Sequence, residues 1–355
     1  MLSFSSLLSI LVLAAPLSEP AAIQHPGESP SAAVQPAATS VSLRFAFRPG
    51  ESLRYRLTST SISDFEAQPG APASKAIISQ TYTVTIRIGD PIPEVTPQSW
   101  SATLTFDIIR AEAPSLGDAP MVFDSTDLTN KAMADHPAFA GYRALTGKSI
   151  AFTIDQTGRV HSVTGAKAIL EAAANNPDFS AEQRHGVAAF RDALSDSAMT
   201  ELLNKCFYVL PAQPIKSGDT WAIGTTTPLP MVGAVKSTGT ATVQPTATDG
   251  DSRIDSVVST STLALDSAQA GPLAAMMTTK VTPGAKAESS LRFNTTLGRL
   301  LEFQSSTHLP LELTMKAGAL GAPQPGEKPS VTRGHVGSRI RTELLPAPAS
   351  AAPKP

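Results

Sequence analysis

The stretch Ser180–Trp221, SAEQRHGVAAFRDALSDSAMTELLNKCFYVLPAQPIKSGDTW, decides the fold because it carries the longest helical pattern in a chain otherwise patterned as strands. Ser180 and Gln183 have the spacing of a capping box, which starts a helix. Apolar residues then recur at spacings of three and four and form one stripe: Val187, Phe190, Leu194, Met199, Leu202 and Cys206. A helix with one apolar face needs a covering layer, so the rest of the chain is expected to supply a sheet.

Two prolines mark the C-terminal end of this helical pattern. Pro211 and Pro214 forbid its continuation, and Lys216–Asp219 then turns the chain into a strand led by Trp221. Ser195-Asp196 can interrupt the pattern, which would leave two shorter helices. A preceding segment, Ala166–Ala174, also has a helical pattern, so the predicted helical region is 166–208.

Upstream of the helices, three long segments alternate between apolar and polar residues, the period of a strand with one buried face. Ordered structure is predicted to begin at Ser42–Phe47. The apolar faces are Leu53, Tyr55 and Leu57 in the first segment, Tyr82, Val84, Ile86 and Ile88 in the second, and Trp100, Ala102, Leu104, Phe106 and Ile108 in the third. Consecutive amphipathic strands joined by turns indicate an antiparallel meander.

Turn residues predict further hairpins. Asp155–Gly158 connects two short strands, Thr248–Asp251 precedes the strand Ile254–Leu265, and Asn294–Gly298 joins two more. Short helices with Met133 and Phe139 as anchors are expected between 127 and 142. The predicted fold is mainly β (α+β): a large curved antiparallel sheet or half-barrel packed around one or two central helices, in a single domain over 41–345.

The two ends of the chain have a different composition. Residues 1–15 form an apolar run that is too short for a membrane-spanning helix and matches the core of a secretory signal. We therefore predict a signal peptide over 1–22, a disordered linker over 23–40 and a disordered tail over 346–355. No Lys or Arg precedes Arg44, so the usual basic start of a signal is missing, and a buried N-terminal helix is the alternative. Export to the periplasm or the extracellular space is expected, with no transmembrane span in the mature chain.

Composition excludes several functions. The net charge of −2 lacks the basic excess of a nucleic-acid surface, and the single cysteine, Cys206, allows neither an internal disulfide nor a thiolate cluster. None of the six histidines has the spacing of a helical metal pair. His161 and His335 could meet only through the fold. No cofactor and no metal site is predicted.

Two segments resemble known motifs only in part. Gly141–Ser149 has five residues between its glycines where a phosphate-binding loop has four, and a strand pattern follows it, so we interpret it as a turn. Asp249-Gly250-Asp251 with Asp255 has the composition of a calcium loop but not its spacing, and a hairpin is the better interpretation. Neither G-x-S-x-G nor H-E-x-x-H occurs, and no catalytic residue is predicted.

Three short pieces carry a family resemblance: Phe47–Tyr55, Asp155–Val160 with Val163–Gly165, and Leu210-Pro211 with Pro214–Trp221. With these pieces the chain resembles an uncharacterised family of exported bacterial proteins, a domain of unknown function, over most of residues 41–345. The resemblance implies no catalytic residues. In layout alone, the chain is also similar to periplasmic lipoprotein carriers, whose antiparallel half-barrel wraps helices and binds acyl chains.

These observations favour a non-enzymatic cell-envelope protein that binds a hydrophobic or lipid-like ligand. Long apolar strand faces opposite few helices leave room for such a ligand, and Phe190, Leu194 and Leu202 are its predicted contacts. One alternative is an envelope structural or assembly protein that contacts partner proteins through its sheet edges. A third is an uncharacterised hydrolase, with Ser, His and Asp brought together from distant strands.

Overall fold

In the described part of the chain, fifteen strands form one antiparallel sheet. The computed structural model describes residues 23–24, 40–66, 73–93, 95, 97–114, 120–127, 129–191, 194–229, 233–266, 277–316 and 330–346. The strands are β1 Ile23–Gln24, β2 Ser52–Glu66, β3 Ala73–Ile92, β4 Ser99–Ala113, β5 Met121–Asp124, β6 Ser149–Asp155, β7 Val160–Thr164, β8 Thr220–Leu229, β9 Gly233–Val243, β10 Ala247–Asp249, β11 Ser252–Asp266, β12 Met277–Val281, β13 Lys286–Asn294, β14 Arg299–Met315 and β15 Ser330–Leu345.

The strand order is β1-β8-β9-β11-β13-β14-β15-β2-β3-β4-β6-β7, with β10, β12 and β5 paired to β11, β14 and β4. Consecutive strands are mostly neighbours, as the meander pattern predicts. The last strand, β15, returns to pair with the first long strand, β2, and so joins the two halves of the chain. The predicted fold class, mainly β with one large antiparallel sheet and few helices, is confirmed.

The helices are α1 Lys131–Ala134, a 3₁₀ helix at Pro137–Phe139, α2 Ala140–Leu145, α3 Ala166–Ala174, α4 Ala181–Phe190 and α5 Asp196–Phe207. Ser195 caps α5, since its hydroxyl accepts a hydrogen bond from the Ala198 N–H at 3.3 Å. The Ser180 pattern is therefore two helices, the alternative that Ser195-Asp196 had indicated. Cys206 is buried on α5.

The inner face of the sheet carries two separate apolar clusters. The main cluster packs the helices against the sheet, with the Tyr55 ring 5.5 Å from Phe207 and the Phe303 ring 5.5 Å from Tyr208. The second cluster has buried members on strands alone: Phe65, Val235, Leu263, Met277, Leu309, Leu311, Leu313 and Val336.

Serine residues separate the two clusters on three of the strands. On β2, β11 and β15 the inner positions between the clusters are Ser61, Ser259 and Ser338, all buried. The Ser259 hydroxyl lies 2.6 Å from that of Ser289 on β13. Hydroxyls that bond one another can be buried at little cost, and their small volume leaves the two apolar clusters distinct.

The predicted apolar face of β4 is wrong at its C-terminal end. The alternation in β4 holds from Trp100 to Phe106, but Ile109 is fully buried and Ile108 is only half-buried. Thr83 pairs with Ile108 and Val84 with Phe106, so Asp107 is the extra residue of a β-bulge. A bulge shifts the following side chains to the opposite face, and alternation alone does not reveal it.

The segment expected to begin the ordered structure, Ser42–Phe47, is extended but belongs to no strand. It still buries alternate residues, Leu43, Phe45 and Phe47. It is held by turns: the Phe45 N–H donates to the Gln156 carbonyl at 2.8 Å, and the Ala46 N–H to the Gly298 carbonyl at 3.1 Å.

Two of the three motifs that carried the family resemblance, those at 155–165 and 210–221, meet at the Asp155–Gly158 turn. This turn contacts Phe45 on one side, and its Thr157 carbonyl accepts the Leu210 N–H at 2.8 Å on the other. Gly158 has φ +86°, and a Cβ there would meet the Phe45 ring and the Tyr208 carbonyl. Glycine is the residue that satisfies both constraints.

Residues 1–22, 25–39 and 347–355 lie outside the described residues, so the signal, linker and tail remain predictions. Within the predicted linker, Ile23 and Gln24 pair with Trp221 and Thr220 of β8. Among the described helices, none has the length and apolar composition needed to cross a membrane.

Candidate functional site

An open depression of about 470 Å³ lies between the 3₁₀ helix and α4. Its volume falls within the range of about 300 to 1,000 Å³ that small-molecule sites occupy. The lining is mainly apolar and consists of Pro137, Ala138, Ala181, Glu182, His185, Gly186 and Phe190.

The capping box positions α4 over the depression. The Ser180 N–H donates to Gln183 Oε1 at 2.8 Å, and the Gln183 N–H donates to the Ser180 hydroxyl at 3.2 Å. The same glutamine donates from Nε2 to the Asp135 carbonyl at 3.0 Å. Gln183, which completes the capping box, therefore also holds α4 beside the turn that leads into the 3₁₀ helix.

Two glycines allow the close packing of this region. A Cβ at Gly186 would collide with the Pro137 carbonyl, and a Cβ at Gly141 would lie 2.6 Å from the Phe190 ring. Glycine at both positions lets α4 approach the 3₁₀ helix and α2 with backbone in contact. The floor of the depression is thus set by backbone and small side chains.

Phe190 forms the inner wall. Its ring meets the Tyr142 ring edge-to-face at 4.9 Å, a favourable aromatic geometry. The Tyr142 hydroxyl accepts a hydrogen bond from Gln80 Nε2 at 2.6 Å, and burial raises the pKa of this phenol well above its usual value of 10.0. Tyr142 therefore stays neutral and gives Phe190 a fixed support.

The rim carries two polar groups, Glu182 and His185. Hydrogen bonds from its own N–H and from the Ser180 hydroxyl lower the pKa of Glu182, so its carboxylate is charged at neutral pH. The Ser180 hydroxyl donates to Glu182 Oε2 at 2.9 Å. An apolar floor with an anionic rim suits an amphiphile whose polar group stays at the surface.

The three predicted contact residues do not share this depression. Phe190 lines it, whereas Leu194 and Leu202 are 6% and 8% exposed and belong to the main cluster. Core side chains fill their surroundings between helix and sheet, so a ligand at these leucines would have to displace packed groups. That both leucines contact a ligand stays a prediction.

Pro137, Ala138 and Gly186 were not singled out from the sequence. Pro137 and Ala138 lie about fifty positions before Gly186 in the chain. No local pattern marks such small residues as a shared lining. Only their packing brings them together.

The partial motifs have structural roles. Of the predicted turn at Gly141–Ser149, the last part is confirmed, since Gly147 has φ +71° in a turn that enters β6, whereas Gly141 belongs to α2. Asp255 points inward and accepts hydrogen bonds from Thr246 at 2.7 Å, Arg253 at 3.0 Å and Thr295 at 2.9 Å. In the described ranges, no group of three or more His, Cys, Asp or Glu side chains is placed to hold a metal ion.

Replacing Asp255 with alanine is expected to lower the free energy of unfolding by about 2 to 3 kcal/mol, because Arg253 and two hydroxyls lose a buried partner. Burial alone would raise the pKa of Asp255, but the three hydrogen bonds outweigh it and hold the pKa below 3.8. Its stabilising contribution is therefore complete above about pH 4 and decreases as the pH falls through the lower folded-state pKa. Urea denaturation across this pH range measures the difference.

The exposed Asp251 in the adjoining turn provides the matched control. Its replacement with alanine should leave the urea midpoint nearly unchanged. Equal losses for the two variants, or a loss at Asp255 that does not decrease in acid, would contradict the prediction.

His161 and His335, which could have met through the fold, each have a different neighbour. His161 Nε2 lies 2.9 Å from the buried carboxylate of Asp155. His335 instead lies beside His308, with ring centroids 5.2 Å apart. Strand register places this second pair together, and residue spacing did not indicate it.

Residues 99–298 match the profile of a family of unknown function (DUF6263), and this match covers more than half of the chain. The protein therefore belongs to that family. The predicted resemblance to a domain of unknown function is confirmed, and the matched range contains the motifs at 155–165 and 210–221.

Comparison with curated proteins finds no significant match. Among solved structures, the chain is similar to one described as lipid-protein interactions in lipovitellin, with 14% identity, a TM-score of 0.42, and coverage of 86% of this chain and 27% of that one. This chain thus spans about a quarter of lipovitellin.

Two other solved structures are less similar. They are DynF from the dynemicin biosynthesis pathway of Micromonospora chersina, with 9% identity, a TM-score of 0.17 and coverage of 91% of this chain and 93% of that one, and the beta domain of the Bordetella autotransporter BrkA, with 6% identity, a TM-score of 0.20 and coverage of 83% and 99%. TM-scores below 0.5 assign this chain neither a fold nor a function.

Proposed function

We propose that the protein is an exported, non-enzymatic binding module of the cell envelope that holds a hydrophobic or lipid-like ligand in the Phe190 depression. The observation that carries the proposal is the mainly apolar lining of an open space beside a fixed aromatic wall. Apolar surface removed from water contributes about 25 cal/mol per Å², so an alkyl chain placed against Phe190, Gly186 and Ala138 is stabilised.

The polar groups of the site fit the same ligand class. Glu182 and His185 lie at the rim, where the polar end of an amphiphile would remain in water. A charged Glu182 favours a head group with a cationic or hydrogen-bond-donating part. These groups suit retention of a ligand, and the proposal gives them no catalytic step.

Export rests on the sequence of the first fifteen residues, whose apolar run has the length of a signal core. Fractionation of cells that express the full chain tests this part. Recovery of the protein from the cytoplasm with its N-terminus intact would contradict it.

The assembly alternative receives less support at one sheet edge. The β7 edge is covered by α5, where the Asn204 side chain accepts the Val160 N–H at 2.7 Å and donates to the Val160 carbonyl at 2.9 Å. A strand edge whose backbone groups are already bonded does not offer them to another chain.

The binding proposal predicts that Ala181→Trp weakens binding of a hydrophobic fluorophore by about tenfold or more, because the indole would occupy the depression and remove its apolar contacts. N-phenyl-1-naphthylamine suits the measurement, since its emission rises in apolar surroundings. Fluorescence titration of the full chain gives the affinity.

Ala188→Trp is the matched control, because Ala188 is exposed on α4 and is not part of the lining. Both variants should unfold at the same temperature as the parent protein. Unsaturable binding by the parent, or equal affinities of the two tryptophan variants, would overturn the proposal.

A further inference from the structure

The outer face of the sheet carries a notch of about 190 Å³ around Gly337, on the side opposite the apolar clusters. Strand register builds it. Lys286 of β13, His308 of β14, Gly337 of β15 and Ile62 of β2 are successive partners across four strands. Because glycine has no side chain, this row has a gap at Gly337.

Cationic and hydroxyl-bearing residues surround the gap. In the next row, Ser306 pairs with Arg339, and in the row on the other side Pro310 pairs with His335. The notch is therefore lined by Lys286, Arg339, both imidazoles and the Ser306 side chain. These groups are hydrogen-bond donors of the kind that recognise oxyanions.

Two neighbouring carboxylates, Glu288 and Asp64, offset the positive charges of Lys286 and Arg339. Glu288 accepts an ion pair from Lys286 at 2.8 Å, and Asp64 is the register partner of His335. Arg339 is exposed on this face of the sheet. The two carboxylates balance the two permanent cations, so net positive charge arises as the histidines take up protons.

Burial, the neighbouring His335 and Lys286 together lower the pKa of His308 below its usual 6.5. An oxyanion in the notch would offset all three effects, because it would accept hydrogen bonds from the protonated rings.

We infer that this notch binds a small oxyanion, phosphate or a phosphate monoester, between His308 and His335, with Lys286 and Arg339 on its flanks. The volume suits a single phosphate group and is too small for a drug-sized molecule. A zinc ion would find only two imidazole ligands in this notch, whereas zinc sites use three or four protein ligands.

Protonation sets the expected pH dependence. An anion that binds the protonated His308 imidazole raises its pKa, so affinity increases as the pH falls and weakens as the pH rises. Calorimetric titration of the full chain with inorganic phosphate, at constant ionic strength, is expected to give about tenfold tighter binding near pH 5.5 than near pH 8. The His308 ring signal in NMR should titrate at higher pH in phosphate than in chloride.

His308→Gln is expected to weaken phosphate binding by about tenfold, the loss of one charge-assisted hydrogen bond. His185→Gln, at the rim of the Phe190 depression, is the matched control and should bind phosphate as the parent does. Arg339→Gln, an exposed substitution, provides a second variant whose folding is not at risk.

The source of the phosphate is distinguished by separate titrations with glycerol 3-phosphate, phosphatidic acid vesicles and phosphatidylcholine vesicles. Binding of the soluble phosphates alone identifies a free monoester, and binding of phosphatidic acid vesicles that depends on His308 identifies a lipid headgroup. No phosphate response in either form, equal affinity at the two pH values, or zinc binding at this pair without a phosphate effect would overturn the inference. Ala181→Trp should leave phosphate binding unchanged, so the two sites are tested independently.

Discussion

Replacing Arg299 with alanine is expected to lower the free energy of unfolding by about 3 to 5 kcal/mol, the cost of leaving the partners of a buried ion pair without it. Arg299 is 5% exposed at the start of β14. Its guanidinium pairs with Glu51 and donates to the carbonyls of Ala46 at 2.6 Å and Gly298 at 2.8 Å. It also lies over the Phe47 ring, 6.0 Å from its centroid.

These contacts explain why the loss should be large. Residues 46–51 lead into β2, and the Arg299 side chain joins Ala46 and Glu51 to the start of β14. Without it, the Ala46 carbonyl and the Glu51 carboxylate lose charge-assisted hydrogen bonds in a partly buried setting. Lysine cannot reproduce the planar fork of arginine, so Arg299→Lys should recover only part of the stability.

Arg333→Ala is the matched control. Arg333 also pairs with a glutamate, Glu312, at 2.9 Å, but its side chain is 71% exposed, and such surface pairs contribute about 0.5 kcal/mol or less. Chemical denaturation of the three variants gives the comparison. If the Arg299 and Arg333 variants lost equal stability, the buried pair would not have the role described here.

Trp221→Ala is expected to cost about 3 to 5 kcal/mol, as large-to-small substitutions in a packed core do. Trp221 is 2% exposed and is among the largest fully enclosed side chains of the described chain. It lies on β8, with Ile23 and Ala241 as its register partners on the two neighbouring strands. Alanine would leave a void that rigid neighbouring strands cannot fill.

Thermal and urea unfolding measure this loss, with two comparisons. Trp221→Phe keeps an aromatic ring in the site and should lose much less stability. Leu297→Ala removes a large apolar side chain that is 51% exposed, so its unfolding midpoint should stay close to that of the parent. A small effect at Trp221 would mean that the β8 end of the sheet relaxes into the void.

Several elements follow from local sequence because their cause is local. The Ser180 capping box forms with both of its hydrogen bonds, and the break at Ser195 separates two helices. Alternation in residues 53–57 predicts the buried face of β2, since adjacent side chains of a strand point to opposite faces. The hairpin turns at 155–158 and 248–251 follow from Asp and Gly, which favour the required backbone angles.

Other features escaped prediction because their cause is distant. The bulge at Asp107 arises from pairing with β3, and because Ile108 and Ile109 are both apolar, the sequence of β4 does not show which of them points inward. The short strand β12 has a weak pattern of its own and exists through its pairing with β14. Packing also places Leu194 and Leu202 in the main cluster, and their contact with a ligand stays a prediction.

The sequence by itself determined the β-rich class, the helix starts and stops, the turns and the membership in a family of unknown function, because capping, alternation and turn chemistry act between residues a few positions apart. The tertiary structure alone decided the different roles of the two helices within Ser180–Trp221: α4 borders an open depression, and α5 fills the core. It also decided that Phe190 meets Tyr142, and that His308 meets His335. Those contacts depend on strand register and helix packing, which join residues far apart in the chain.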